Sequence, residues 1–303
     1  KSFPTNAQMK HLPQLLSSKE KKLAVGALIV VIVAGAILGS RLFYAQKILS
    51  PAVGGEYTEG LIGTPQLINP LYSLTSDVDT DLARLIYSGL MRYDSEEGLV
   101  PDLAESYSIS EDGLTYTFTL RNNATWHDGK PVRVTDIIFT LSAIQNIEYR
   151  SPLESSFANV SIAQIDDQTV QLTLAEPFAP FLSLLTIGIL PSHIWSDIAP
   201  LNAPLSELNK KPIGSGPYTF DKLVKDSKGN VRSYTLERFA NFYRGAPYVE
   251  TLTFKFYTDL TSAIEALKNK NIEGLSFVPM NEIKELEKDS SISLTFPYLQ
   301  QYT

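Results

Sequence analysis

Hydrophobic patterns divide the chain into two regions with different predicted structures. Residues 23–39 contain no charge, and apolar residues cover every face of this segment on a helical projection. Beyond residue 56, apolar and polar residues alternate in several short runs, which is typical of half-buried β-strands. Segments with helical spacing separate these runs. The patterns therefore predict one long apolar helix followed by a mixed α/β domain.

The apolar segment, taken as residues 23–45, is predicted to be a transmembrane anchor or a signal segment. Its first seventeen residues span roughly 25 Å as a helix, and residues 42–45 bring it to the length that crosses a bilayer. Residues 1–22 carry five lysines and one glutamate, which predicts a basic cytoplasmic arm and an external remainder. A cleaved signal peptide is the alternative, with Ala34-Gly35-Ala36 resembling a cleavage site. We favour the uncleaved anchor because apolar residues continue beyond that triplet.

Residues 46–55 are predicted to be a linker, and the charge changes sign beyond it. The pair Gly54-Gly55 ends the linker with flexible backbone. Of the 26 basic and 33 acidic residues, 7 and 1 lie in residues 1–55, which leaves a net charge of −13 for the rest. We expect no nucleic-acid partner, because phosphate binding requires clustered lysine and arginine.

Several kinds of chemistry are excluded or disfavoured by the residue types present. The chain has no cysteine, which excludes disulfides, thiolate metal sites, a cysteine nucleophile and a lipidated cysteine. Asp77, Asp79 and Asp81 are spaced like calcium ligands. However, Leu82 and Ser88 stand where an EF-hand needs glycine and glutamate, so acidic residues of a first helical turn are favoured. The three histidines are far apart, and we expect no cofactor, no metal and no enzyme.

A strand, a reversal and a helix are predicted between residues 103 and 144. Apolar and polar residues alternate over 115–121, which predicts the strand. Residues 127–131 supply the reversal, because Asp and Gly accept turn conformations. Thr135 is predicted to be the N-cap of the helix, and apolar residues at helical spacing follow it.

The other predicted elements are short. Gly214-Ser215-Gly216-Pro217-Tyr218 is predicted to be a structural turn, since it matches neither a phosphate cradle nor a nucleophile elbow. Strands are predicted at 58–62, twice between 157 and 174, and at 218–223, 231–237, 252–257, 277–279 and 292–296. Helices are predicted at 261–270 and 281–288.

The order of several motifs resembles a known family. EDGLTYTFTLR, WHDGKPV and DIIF follow one another from residue 111, and GSGPY and NFYRG come later, at 214 and 241. Together they resemble the extracellular solute-binding proteins of family 5, which serve peptide and nickel ABC importers. Each motif alone is weak, whereas their common order over residues 56–300 argues against a chance match.

The resemblance implies a periplasmic-binding-protein-like α/β fold of type II, which is bilobal with an extra β-rich subdomain. The first lobe would cover residues 56–258, including the subdomain at about 77–180. Residues 259–303 would form the hinge and the beginning of the second lobe. Family members are longer, so the resemblance implies an N-terminal fragment. The glycine and aspartate of the family's "G-e-i-D" motif align with Lys270 and Glu273, changes that we expect to be tolerated.

The function implied by the resemblance is solute binding for an ABC importer. The protein would bind oligopeptides and deliver them to permease subunits, from the periplasmic or cell-surface face of a membrane in which its N-terminal helix is anchored. Nickel or another small solute is one alternative ligand. A membrane-anchored sensor or interaction module on the same scaffold is another alternative, which the predicted anchor keeps open.

Four ligand-contacting residues are expected from the alignment with the family. Gly63 and Thr64 lie in the loop after the first strand, Tyr257 at the crossover between lobes, and Phe277 just past it. Core packing is the favoured role of Phe277, and ligand contact is the alternative.

Overall fold

The computed structural model describes residues 17–45 and 51–295, with the side chains of 42–45 excepted. Most of the predicted basic arm, residues 46–50 of the linker and residue 296 of the last predicted strand lie outside these ranges. The chain divides into two compact units, Lys1–Ala52 and Val53–Thr303.

The first unit contains a single described helix, α1 (Ser18–Ala45). Its apolar side chains from Leu23 to Leu38 are exposed. The 24 residues of Ser18–Arg41 are long and apolar enough to cross a membrane, since they span about 36 Å. A signal segment near the N-terminus meets the same criteria, so both predictions for residues 23–45 stand.

The second unit contains the strands and helices of an α/β domain. In chain order they are β1 (Glu56–Ile62), α2 (Asp77–Ile86), β2 (Met91–Asp94), β3 (Gly98–Pro101), β4 (Ala104–Ile109), β5 (Thr115–Leu120), α3 (Val134–Gln145), α4 (Glu154–Phe157), β6 (Val160–Gln164), β7 (Thr169–Leu174), α5 (Phe181–Leu184), α6 (Ser192–Trp195), β8 (Tyr218–Lys225), β9 (Val231–Arg238), β10 (Thr251–Tyr257), α7 (Leu260–Lys268), β11 (Gly274–Leu275) and α8 (Met280–Leu286). Short 3-10 turns lie at Ser73–Thr75, Ile147–Tyr149, Pro200–Leu205 and Glu207–Asn209.

A five-stranded sheet with the order β11-β1-β10-β9-β8 forms the centre of this unit. Strand β1 runs parallel to both β10 and β11, whereas β10, β9 and β8 are antiparallel neighbours. Phe254 and Phe256 of β10 alternate with polar residues and are buried. They share one hydrophobic core with Tyr234 of β9 and Leu82 of α2. The polar-apolar alternation that predicted these strands therefore marks their core-facing side.

A separate antiparallel sheet has the order β4-β5-β7-β6. Strand β5 occupies residues 115–120 with every second side chain buried, which confirms the predicted strand at 115–121. Phe118 and Leu172, from neighbouring strands, are fully buried. The two strands predicted between 157 and 174 are β6 and β7. The bounds of the predicted β-rich subdomain, about 77–180, stay a prediction.

The two turn motifs of the sequence pack against each other. The His127 backbone N–H donates to Gly214 O at 2.8 Å, and the Gly214 N–H donates to His127 Nδ1 at 3.1 Å. Because Nδ1 accepts, Nε2 carries the proton and donates to Gly216 O at 3.1 Å. A Cβ at Gly214 would overlap the carbonyl of Ile86 at the end of α2. The predicted structural role of residues 214–218 is thus confirmed.

Two details of the predicted secondary structure are wrong. Helix α3 begins at Val134, and Asp136 Oδ2 accepts from the Arg133 N–H at 2.8 Å, so Thr135 lies inside the first turn. Residues 277–279 and 292–295 are not strands. Phe277 has a φ of +58°, which lies outside the extended region, so a strand cannot run through this residue. The other predicted strands and helices are confirmed within two residues at each end.

Candidate functional site

The carboxyl ends of three parallel strands meet at one edge of the five-stranded sheet. In the β1–β10 ladder, Ile62 stands opposite Tyr257, and the Gly63 N–H donates to Tyr257 O at 2.9 Å. Strand β11 runs in the same direction on the other side of β1 and ends at Leu275. Ligands of open α/β sheets bind outside the carboxyl ends of the strands. This edge is therefore the candidate site.

The four residues expected to contact a ligand all lie at or just past this edge. Gly63, with a φ of +112°, and Thr64 follow β1 and are exposed. Tyr257 is the last residue of β10, and Phe277 comes two residues after β11. Phe277 is 79% exposed, so its favoured core-packing role is wrong in this structure. Its role as a ligand contact stays a prediction.

Tyr257 also lines a pocket of about 340 Å³ beside the edge. The other lining residues are Arg232, Lys255, Phe256, Thr258 and Ser262. Its cationic groups already have partners: Lys255 Nζ donates to Asn271 O at 2.7 Å, and Arg232 pairs with Asp226 at 2.8 Å. The pocket is thus a small cavity next to the edge, and both of the cationic side chains that line it are already paired.

A carboxylate network that the sequence analysis missed joins β11 to β1. Glu59 accepts hydrogen bonds from the hydroxyls of Tyr57 and Ser276, each at 2.6 Å. Burial and the Glu59 carboxylate both raise the pKa of the Tyr57 hydroxyl, so it stays a donor. Glu59 is flanked in β1 by Thr58 and Gly60, so the sequence shows no alternation with apolar residues that would assign its side chain to a face. The short partner strand gave no signal of its own.

Glu273 shows why the departure from the family's "G-e-i-D" motif is accommodated here. The Glu273 N–H donates to Thr58 O, and Glu273 Oε2 accepts from the Thr58 N–H, both at 2.8 Å. One residue thus makes a main-chain and a side-chain bond to the same partner. The carboxylate extends the two-residue β11 ladder by one further pair of bonds.

Lys270 occupies the left-handed position that ends helix α7. Its φ is +58°, its N–H donates to Leu267 O, and the Asn271 N–H donates to Ala266 O. These two bonds form a Schellman motif, in which glycine is usual at the position of Lys270. The lysine therefore adopts a left-handed backbone conformation that glycine usually takes at this position.

A larger cleft of about 930 Å³ lies elsewhere on the same unit, between α2, the β2–β3 hairpin and residues 183–188. The Arg244 guanidinium and the Tyr243 hydroxyl bind Asp102 Oδ1 there, at 3.0 and 2.7 Å. Burial raises the pKa of Asp102, and Arg244 opposes that shift. None of the four predicted residues lines this cleft.

Metal-ligating side chains are scattered. Within residues 17–45 and 51–295, no three His, Cys, Asp or Glu side chains are grouped to hold a metal ion. Asp79, a member of the rejected calcium pattern, instead binds the backbone of the loop after β1. The candidate edge therefore offers hydrogen bonding and aromatic contact to a ligand.

Comparison with known sequences gives consistent matches. Residues 98–303 match the family described as bacterial extracellular solute-binding proteins, family 5 Middle. The chain is 31% identical over 248 residues to the oligopeptide-binding protein AppA of Bacillus subtilis, covering 80% of this chain and 44% of AppA. It is 27% identical over 254 residues to the dipeptide-binding protein of Escherichia coli, covering 77% and 46%. The chain thus spans about half the length of the curated relatives it matches.

Solved structures resemble the chain over a similar range. AppA from Bacillus subtilis, in complex with a nonapeptide, has a TM-score of 0.72 at 31% identity and is matched over 79% of this chain and 47% of AppA. NikZ from Campylobacter jejuni, in complex with Ni(L-His), has a TM-score of 0.69 at 31% identity, over 78% and 45%.

These similarities and the sheet edge define the class: the chain carries part of the fold of bilobal periplasmic binding proteins. The family match extends over more than half of the sequence. The chain belongs to the bacterial extracellular solute-binding proteins of family 5. Its location is accordingly outside the cytoplasm.

Proposed function

We propose that the chain is part of the solute-binding component of an ABC importer and that its ligands are peptides. The observation that carries this proposal is the meeting of Gly63 and Tyr257 at the carboxyl edge of parallel strands, in a chain 31% identical to a protein solved with a nonapeptide. The proposal includes a first lobe at 56–258 and a hinge with the start of a second lobe at 259–303. It assigns the chain no catalytic role.

Ligand binding would use main-chain hydrogen bonds and aromatic contacts at this edge. Gly63 and Thr64 present exposed backbone, while Tyr257 and Phe277 offer aromatic surface for ligand side chains. Main-chain recognition tolerates many side chains, which suits a broad range of peptides. A ligand that contacts both lobes would shift the protein from the open form toward the closed form, which a permease recognises.

The test is a thermal-shift screen of the intact protein in detergent against pools of di- to hexapeptides. A ligand that binds only the folded state stabilises it by mass action and so raises the melting temperature. At a ligand concentration a hundredfold above Kd, the stabilisation is about 2.7 kcal/mol. We expect several peptide pools to raise it. Absence of a shift with every pool would overturn the peptide assignment.

A nickel chelate is the second candidate ligand, which the similarity to NikZ supports. The same screen therefore includes nickel with free histidine, and histidine alone as its control. A shift with the nickel mixture, together with no shift for peptides or histidine alone, would favour this candidate.

We further propose that α1 anchors the protein in the membrane. The 24-residue apolar span supports this proposal. We expect protein extracted from membranes to retain residues 18–41, and its intact mass measures this. A mature N-terminus after residue 36 would instead identify a cleaved signal peptide.

A further inference from the structure

Residues 63–67, the first part of the loop between β1 and α2, form a segment that is fixed at both ends. At its start, the Gly63 N–H donates to Tyr257 O at 2.9 Å, which continues the β1–β10 ladder. At its end, the Gln66 N–H donates to Asp79 Oδ1 at 2.8 Å and the Leu67 N–H donates to Asp79 Oδ2 at 3.0 Å. Thr64 and Pro65 lie between these contacts. One carboxylate therefore uses both of its oxygens to hold residues 66 and 67.

Asp79 is diverted from the usual role of its helix position. Ser76 is the N-cap of α2, and its Oγ accepts from the Asp79 N–H at 3.4 Å. In a capping box, the acidic side chain at the third helical position would return a bond to the N-cap N–H. Here the Ser76 N–H donates to Ser73 O at 3.1 Å instead. The Asp79 carboxylate is therefore available to accept the hydrogen bonds from Gln66 and Leu67.

The surroundings of Asp79 make these two bonds important. Asp79 is 1% exposed. Among the described residues it forms no ion pair. Burial raises the pKa of Asp79, and the hydrogen bonds from Leu67 and Gln66 oppose that shift. A buried carboxylate without a cation depends on its hydrogen-bond donors, so the carboxylate and the loop backbone stabilise each other.

We propose that Asp79 is a positioning residue that holds loop 63–67, and with it Gly63 and Thr64, in the conformation that receives the ligand. The inference rests on the proposed function, because it assigns the loop to the ligand site. A loop that is ordered before binding loses less conformational entropy when the ligand arrives. Release of residues 66 and 67 would therefore weaken binding although Asp79 itself touches no ligand.

The test compares Asp79→Asn with Asp77→Asn in the intact protein. Asparagine keeps the size of Asp79 but accepts through only one of its two polar atoms, so one loop N–H loses its acceptor. Asp77 is an exposed acidic residue of the same helical turn and serves as the matched control. Two quantities are measured: hydrogen exchange at the Gln66 and Leu67 amides, and the Kd of a peptide chosen from a pool active on the wild type.

We expect Asp79→Asn to speed exchange at these two amides about tenfold and to raise the peptide Kd about tenfold, as expected for one lost charge-assisted hydrogen bond. Asp77→Asn should change both by less than about twofold. Unchanged exchange at these amides, or equal effects of the two substitutions, would overturn the inference. Faster exchange with an unchanged Kd would also overturn it, because the loop would then not receive the ligand.

Wild-type protein supplies a second measurement that does not depend on a variant that folds. Bound peptide is expected to slow exchange at the amides of Thr64, Gln66 and Leu67, and no protection there would overturn the inference. If no peptide binds the wild type at all, the proposed function fails. The exchange comparison between the two variants then still decides whether Asp79 holds the loop.

Discussion

At the scale of single residues, Lys270 takes a backbone conformation that disfavours side chains. A left-handed residue other than glycine costs about 1 kcal/mol or more, because its Cβ approaches the following carbonyl. Lys270→Gly should therefore raise the free energy of unfolding by about 1 kcal/mol. Urea denaturation measures this change. The control is Glu265→Gly, at an exposed position inside helix α7, which should lower the free energy by about 1 kcal/mol; a loss of stability in both variants would contradict the prediction.

His127 is a second residue whose environment has a measurable consequence. Burial lowers its pKa to about 4 from 6.5, and the Gly216 carbonyl only partly opposes that shift. As the pH falls, the ring is protonated in the unfolded state before it is protonated in the folded state. The contribution of His127 to the free energy of unfolding is therefore complete above pH 6.5 and is lost between pH 6.5 and about 4. The loss is at most about 3 kcal/mol.

Stability measured against pH in His127→Gln checks this prediction, because glutamine both donates and accepts without titrating. The variant should show a flatter slope between pH 6.5 and 4 than the wild type. Carboxylates titrate in both proteins and cancel in the comparison. Equal slopes in the wild type and His127→Gln would refute the assignment.

At the scale of elements, the turn before β8 depends on its close approach to the end of α2. The Gly216 N–H donates to Ile86 O at 2.8 Å, and a Cβ at Gly214 would overlap that carbonyl. Gly214→Ala should destabilise the protein by about 3 kcal/mol, since backbone must move on both sides. Melting temperatures measure the effect. Gly229→Ala is the control: its space is open and its φ is +86°, so it should cost about 1 kcal/mol.

At the scale of the whole molecule, substitution of Phe277 separates effects on folding stability from effects on ligand binding. Because it is 79% exposed, Phe277→Ala should change the free energy of unfolding by less than about 0.5 kcal/mol. As a ligand contact it should raise the peptide Kd about tenfold. Phe254→Ala, in the core, should instead lower stability by about 3–5 kcal/mol. A large loss of stability in Phe277→Ala would contradict this prediction and indicate that Phe277 packs in the core.

Most of the fold was predictable because alternation marks buried strand faces over five or more residues, as in β5 and β10. The strand predicted at 277–279 was wrong because the apolar pair Phe277-Val278 does not reveal the positive φ of Phe277. The candidate edge was predictable from the family resemblance, which aligned Gly63 and Tyr257. Asp79 was missed as a loop contact since its sequence position suits a helix N-terminus equally well, and its partners are backbone atoms.

The order of the central strands has a consequence for biosynthesis. Strand β1 is made first, but its two neighbours, β10 and β11, are encoded about 190 and 210 residues later. At about 5–20 residues per second, a ribosome needs roughly 10–40 s to supply the first of them. During that time β1 has no sheet to join, and pairing over such sequence distances is slow. Strand β1 thus stays unpaired until β10 has been made, which suits passage of this part of the chain through a protein-conducting channel to the outside.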